Sequence, residues 1–452
     1  MKAASRAPRQ PKAVRSAGAG TRARALKAGF AETDITPPVG TRKIGWLKDI
    51  VSDRVLDPLF ARVAVFERGS EALAFIQLDT LCVRWTQAED LRRRIHRRYG
   101  FPPQAVLVAA THNHAGPAVA NVGDVRRDEA YIETLSAKCV KAFGRALDNR
   151  QPAEIGFGRR FEFDIAHNRR LVMRDGTVKT HGTFQDSQAL YVEGPVDPEV
   201  AVLAARNARG EVLGCLVNFA CHPVDHGGGP LLSAGYPGVL ARLMKGRGCP
   251  VTLFLNGACG NLSMANPHHP DRSLSMEAAG QILADHAALA LAGMPWQVPR
   301  RLASARMKVQ LAYRRPTEAE IRGAVRGAQR FIDPAIYDRG MDALCERIRA
   351  RGSAPAEVQA LVIDDHAWIG IPAEYFVQHG LRIKEQAYPM TAHVVSHANG
   401  MLGYLPHREA FARGGYETTF AGSSRMAPEA GDQLADAALG LVRHFQPMAV
   451  RA

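Results

Sequence analysis

The sequence predicts an α/β fold: a mixed β-sheet core with flanking helices, and a metal site at the C-terminal ends of its strands. Three observations carry this. Apolar runs of strand length recur along the chain, separated by segments with helical periodicity. Several runs end in polar turns rich in glycine and proline that carry His, Ser, Glu or Tyr, the position where ligand sites gather in open α/β sheets. No apolar run approaches the roughly 20 residues that a membrane span needs. A chain of 452 residues, 46% hydrophobic and 23% charged, is expected to be a soluble globular protein with room for one large catalytic domain or two ordinary ones.

The net charge of +14 is unevenly placed. Residues 1–31 hold eight Lys and Arg and no acid, so the rest of the chain carries about +6, an ordinary excess. No basic stripe is interleaved with aromatics, which argues against nucleic acid as a partner. The basic start lacks an apolar secretory core. Residues 1–27, rich in Ala, Arg, Gly and Pro, are expected to be a disordered tail. The seven cysteines are odd in number, scattered and without a C-x-x-C pair, which suits reduced thiols in a cytoplasmic protein.

The elements follow in order. A short strand begins at Phe30 and ends in the Pro37-Pro38 turn. Residues 60–67 and 72–79 form a hairpin across Arg68-Gly69-Ser70. A charged helix over 86–99 leads to the strand Val106–Ala110. Residues 128–147 read as an amphipathic helix, with Tyr131, Leu135, Cys139 and Phe143 four apart. A strand over 154–163 precedes residues 171–195, which are polar and read as a loop over a site. A hairpin over 200–206 and 211–219 follows, then a helix to about 245, a strand at 251–255 and a helix over 274–292. After a strand at 301–312, the charged stretch 316–352 reads as a mostly helical surface arm interrupted near Pro334. A hairpin over 358–364 and 366–371 delivers Glu374 into a helix. A strand at 392–396 and a helix over 428–445 close the chain.

Polar residues at the strand ends are the candidates for chemistry. Thr111-His112-Asn113-His114-Ala115-Gly116-Pro117 follows a buried strand, and on an extended backbone His112 and His114 point to one side. Neutral imidazole is the commonest biological metal ligand. The plain alternative is a turn with ordinary hydrogen-bonded histidines, and two histidines alone do not decide. His222, Ser263, Glu374 and Tyr404 end other runs; histidines and a carboxylate, with or without a phenolate, would suit a zinc site that keeps a position for water. Each has a structural alternative: Glu374 can complement a helix dipole, Ser263 can cap a turn, Tyr404 can simply pack. His226, His268 and His269 lie in polar loops and read as surface residues; His393 and His397 flank a strand and read as structural. No H-E-x-x-H is present, which excludes a zincin-type protease.

These motifs carry a resemblance. Thr111–Pro117 looks like the T-H-T-H-S-G-P motif of the neutral/alkaline ceramidase family. Asn218–Pro223, Asn256–Ser263, Pro372-Ala373-Glu374 and Gly403-Tyr404 through Tyr416 are similar to its later motifs in the same order, and Asp34-Ile35-Thr36-Pro37 matches its opening. The resemblance covers roughly residues 28–445 and implies one zinc hydrolase domain over 28–450, an amidase that cleaves an N-acyl bond with metal-activated water. By the same resemblance Zn²⁺ would be held by His112, His222, Glu374 and Tyr404. His114, Arg169 and Tyr416 would hold the substrate amide or stabilise the oxyanion, and Ser263 would stand beside the water. Two positions depart from the pattern: Ala115 replaces a serine, and Gly235 stands where relatives tend to have an acid. The expected substrate is a small or lipid-like amide. An esterase or lactonase at the same metal, or an inactive binding protein of the same fold, are the alternatives; oligomeric state and the acid for the leaving amine stay open.

Overall fold

The computed structural model describes residues 25–446. Most of the predicted tail, residues 1–24, lies outside the described residues, as do 447–452. Leu26 and Lys27, at the end of that tail, already belong to the first strand.

The main sheet is built from β1 (Leu26–Asp34), β2 (Phe60–Arg68), β3 (Glu71–Leu78), β4 (Val106–Ala110), β5 (Gln151–Phe161), β6 (Glu199–Asn207), β7 (Val212–Phe219) and β8 (Thr252–Asn256). They pair in the order β8-β7-β6-β5-β1-β2-β3-β4, and Trp296–Gln297 adds a ninth short strand on β5. The centre is antiparallel, with Leu26 opposite Arg68 through Asp34 opposite Phe60. The outermost pair at each end is parallel: Ala74 to Leu78 beside Val106 to Ala110, and Cys215 to Phe219 beside Thr252 to Asn256. Parallel neighbours need a crossover. Helix α1 (Trp85–Tyr99) supplies one, and a later helix, Gly235–Gly246, the other. Both crossovers leave the C-terminal ends of parallel strands open for loops.

Helix α2 (Glu129–Asp148) packs on the centre of the sheet; Asp128 caps it by accepting from the Tyr131 N–H at 2.9 Å. Helices α3 (Gly235–Gly246) and α4 (Met276–Ala292) pack together, burying Tyr236, Leu240, Leu283 and Ala287 in one core. A second sheet, β9 (Leu302–Ala312), β10 (Ser353–Ile363), β11 (His366–Gly370) and β12 (Thr391–Val395), pairs in that order. Leu361, Trp368 and Val395 from it share the first sheet's core, and the Trp368 ring meets Phe75 edge-on at 5.9 Å. Its other residues, among them Val358, Val362 and Ile369, join a separate core with the final helix, Ala430–Phe445.

The four residues after β12 tie the sheets together. Ser396 N–H donates to Asn256 O at the end of β8 (2.9 Å), while Ala110 N–H of β4 donates to His397 O (3.1 Å) and Asn399 N–H to Val108 O (2.8 Å). One segment thus joins the two terminal strands of the main sheet. His397 and Asn399 both adopt positive φ, +55° and +60°, to make the bends.

Three expectations are corrected. Residues 171–195 are not simply a loop: Arg170–Met173, Val178–Thr180 and Ala189–Val192 form a three-stranded antiparallel sheet. Glu374 does not start a helix; it pairs with Tyr404 in a two-residue parallel ladder, and the helix begins at Val377. Pro334 opens a short helix, Pro334–Arg339, rather than interrupting one, because a first-turn position needs no N–H donor.

Arg92 of α1 is fully buried where the layers meet. It donates to Val106 O (2.9 Å), Glu357 (2.7 Å) and Gln359 (3.0 Å). Replacing Arg92 with Met leaves the buried Glu357 carboxylate with only the partly exposed Arg306. Urea unfolding is expected to show a loss of about 3 kcal/mol, most of it recovered by adding Glu357→Leu; a double variant as unstable as the single one would contradict this account.

Candidate metal centre

The loops after β4, β7 and β8 meet. His112 is buried, and its φ of +68° shows that the strand has ended. A left-handed turn, not strand alternation, therefore brings His112 and His114 together. The His112 Nε2 lies 3.0 Å from His222 Nε2 and 3.2 Å from His114 Nε2. The Glu374 carboxylate lies 3.4 Å from His112 Nε2 and 3.5 Å from His222 Nε2.

The tautomers follow from the other nitrogens. His112 Nδ1 donates to Leu81 O (2.8 Å), His114 Nδ1 to Gly45 O (2.8 Å) and His222 Nδ1 to Cys259 O (2.9 Å). A carbonyl only accepts, so each Nδ1 carries the proton and each neutral ring turns an Nε2 lone pair inward. Burial, then the charge of Arg169, pushes His222 down to about 4, and burial with the neighbouring imidazoles holds His114 well below the ordinary value. Lone pairs at 3.0 and 3.2 Å, beside a carboxylate, repel one another unless a cation lies among them. Bonds of about 2.0–2.1 Å in a tetrahedron place ligand atoms about 3.3–3.4 Å apart, close to the spacings seen. The donor set therefore fits a divalent metal, and His112, His114 and His222 form a group that could hold one.

Burial would raise Glu374, and positive charge shared with His112 and His222 would hold it well below the carboxylate range, a charge that a cation among these groups would supply. Tyr404, opposite Glu374 in their short ladder, is pushed far up by burial and by that carboxylate. Arg169 opposes this, donating to the Tyr404 hydroxyl at 3.2 Å. Arg169 also donates to Gly260 O and to Glu417, both at 2.8 Å. Glu417 is buried and also accepts from Arg170 (2.8 Å) and Thr180 (2.9 Å); burial would raise it, but the two guanidinium groups bring it down to about 2. Arg170 in turn pairs with Glu193.

A cavity of about 510 Å³ opens over the imidazoles, lined by His112, His114, Glu374, Tyr404 and Tyr416 among others. The Tyr416 ring stacks on Phe331 at 4.8 Å and meets Tyr404 edge-on at 5.5 Å. Helix α5 (Met341–Arg351), from the predicted surface arm, forms one wall. Arg169 reaches this site from behind Tyr404. Ser263 is buried, its backbone pairs with His167, and its hydroxyl accepts from Ala265 N–H; among the described residues it makes no hydrogen bond to the imidazoles. At Gly235, φ is +66° and an added Cβ would meet the Asp225 carboxylate at 3.1 Å, so Asp225 stands next to the place of the expected acid.

This architecture has solved counterparts. A ceramidase complexed with C2 superposes with a TM-score of 0.72, over 95% of this chain and 77% of that one, at 18% identity. The neutral ceramidase of Pseudomonas aeruginosa gives a TM-score of 0.71 over 94% and 75%, at 19% identity. The fold is that of the neutral ceramidases. In sequence, the Pseudomonas aeruginosa neutral ceramidase is 24% identical over 173 residues, which are 36% of this chain and span 24% of that relative. No protein-family profile matches the chain. The ceramidase-like fold carries the α/β layers and the strand-end site that the sequence predicts.

From the sequence, His397 reads as structural, and Glu417 and Arg170 are not singled out. The His397 ring stacks on His112 at 4.0 Å and 11°, with Cys259 Sγ 3.5 Å from its Nε2. Glu417 adjoins Tyr416 and Arg170 adjoins Arg169, but nothing in a linear reading pairs them. His226, His268 and His269 are exposed, and His393 bonds to His366 away from the site. Gly260 is a sensitive joint, because an added Cβ would lie 2.5 Å from Glu374 O. Gly260→Ala is expected to lower metal affinity about 10–100-fold, read by elemental analysis after dialysis, with far-UV circular dichroism close to the parent; full metal retention would contradict the role given to this contact.

Proposed function

We propose that this protein is a zinc-dependent amidohydrolase that cleaves an N-acyl amide bond. The observation that carries this reading is the convergence of imidazole lone pairs and a buried carboxylate, at the spacing of one coordination shell, in a cavity of ligand size. The neutral-ceramidase fold supports it. His112, His222, Glu374 and Tyr404 would hold the ion, and His114, with its Nε2 3.2 Å from His112 Nε2, would stand beside it with its lone pair left for the substrate. Zinc bound there supplies a Lewis acid for the carbonyl and lowers the pKa of water to about 7.

The chain's own residues supply the rest. Gly45 O fixes His114 as the Nδ1–H tautomer, so its Nε2 is an acceptor. This changes its expected role: it does not donate to an oxyanion but accepts the substrate amide N–H, and can carry a proton from the attacking water to the leaving amine. Arg169, donating to the Tyr404 oxygen, favours the ionised phenol and acts on the substrate through Tyr404. Tyr416, whose hydroxyl burial keeps protonated, faces the same cavity and donates to the developing oxyanion.

Purified protein is expected to contain zinc, to lose amidase activity on chelation and to regain it with added Zn²⁺. His112→Ala should lose metal and activity together; an active, metal-free variant would refute the assignment. Tyr416→Phe should lower kcat on the order of 10²-fold with metal content unchanged. Matched amide and ester substrates separate this reading from an esterase or lactonase, since a catalyst cleaving only the ester would displace it.

A further inference from the structure

We infer that the cavity carries an anion-recognition wall, formed by Arg84, Arg347, Arg351 and Arg425, and that the substrate is an amide carrying a carboxylate or similar oxyanion away from the scissile bond. This rests on the amidohydrolase reading above and adds the chemical class of the substrate. All four arginines line the same cavity as the imidazoles. Among the described residues the only acid lining it is Glu374, already engaged by His112 and His222. A fifth arginine of the lining, Arg127, is paired with Glu129. Among the described residues, the other four have no carboxylate partner. Arg84 donates to Val119 O at 3.2 Å and feels Glu129 only from beyond ion-pair distance, while Arg425 donates to Gly422 O and, at 3.4 Å, to Met401 O, with the Tyr313 hydroxyl beside it; none of these contacts is an ion pair.

Helix α5 shows the arrangement most clearly. Met341, Leu344, Arg347 and Arg351 form one stripe facing the cavity, apolar at its start and basic at its end. Arg347 and Arg351 are four residues apart, a spacing at which like charges weaken a helix. Arg425, from the loop before the last helix, adds to the repulsion: burial lowers its pKa, Tyr313 opposes this, and the nearby Arg347 lowers it further. An oxyanion relieves that repulsion, and the planar guanidinium fork matches carboxylate geometry in a bidentate way. Unpaired charges of one sign along a cleft also raise the local concentration of oppositely charged substrate. A substrate that suits the whole cavity has an amide at the imidazoles, an apolar body along Met341 and Leu344, and an anionic end at the arginines. A neutral amide leaves these guanidinium groups to water.

The test compares kcat/KM within two matched pairs at low ionic strength. Suberic acid monoanilide is set against octanoic acid anilide, which places the charge on the acyl side. N-decanoylglycine is set against N-decanoylethanolamine, which places it on the amine side. The zinc-loaded protein is expected to prefer the anionic member of one pair by about tenfold or more, with the preference shrinking as salt is added; the pair that shows it identifies the flank. In Arg347→Gln/Arg351→Gln the ratio between members should fall about tenfold, whereas Arg349→Gln, on the same helix but off the cavity, should leave the ratio as it is. A ratio near one in both pairs, or one equally changed by Arg349→Gln, overturns the inference. If no amide is cleaved, the amidohydrolase reading fails by itself, and calorimetry then decides the wall: tighter binding of the anionic member, weakened in the double variant, supports it, and equal binding overturns it.

Discussion

Three imidazole nitrogens and a carboxylate oxygen are held against one another with their lone pairs facing inward. In water such groups would separate. Here they are kept in place because every Nδ1 is tied to a backbone carbonyl, of Leu81, Gly45 or Cys259. The loops that carry those carbonyls are shaped for the purpose, down to the left-handed backbone of His112. A site preformed at this electrostatic cost stores free energy that a bound cation would release, so an ion held there would add to folding stability.

Behind that site lies a second, fully buried layer of charge. Arg169 and Arg170 are consecutive, yet one reaches forward to Tyr404 and the other back to Glu193, while both hold Glu417. Burying so many charges gives little net stability, because desolvation offsets much of the attraction. What it does give is position. Arg169 also grips Gly260 O, and the Gly260 N–H donates to Tyr375 O, so the strand end that carries Glu374, the loop beside His222 and the Tyr404 hydroxyl move as one body.

Much of this was legible in the residues. The hairpin over Phe60–Leu78, helix α1 and the strand before His112 follow from apolar period and turn chemistry, because each is long and strongly patterned. The short sheet between Arg170 and Val192 was hidden, because its strands are three or four residues long and set among glycines and charges. Glu374 and Tyr404 meet on two-residue strands with no periodicity to read. The identities of the clustered groups could be taken from strand-end motifs, but their geometry could not. The tautomer of His114 depends on Gly45, distant in sequence by 69 residues, and His397 reaches His112 through a bend after β12. The arm's basic stripe was visible as charge; that it faces the same cavity as the imidazoles is a tertiary fact.

The segment 396–399 does more than shape the site. On the outer side of β4, Val106 O is taken by Arg92 and Gln359, Val108 N–H by the Asn399 side chain, Val108 O by Asn399 N–H, and Ala110 N–H passes to His397 O. An apolar terminal strand with its polar groups free would be a template on which another chain could add. Here that margin is sealed by the same turn that presses His397 onto His112. The protein therefore guards itself against edge-to-edge self-association with a piece of its own candidate metal centre, and damage to that turn would expose the chain to clumping as well as disturb the imidazole cluster.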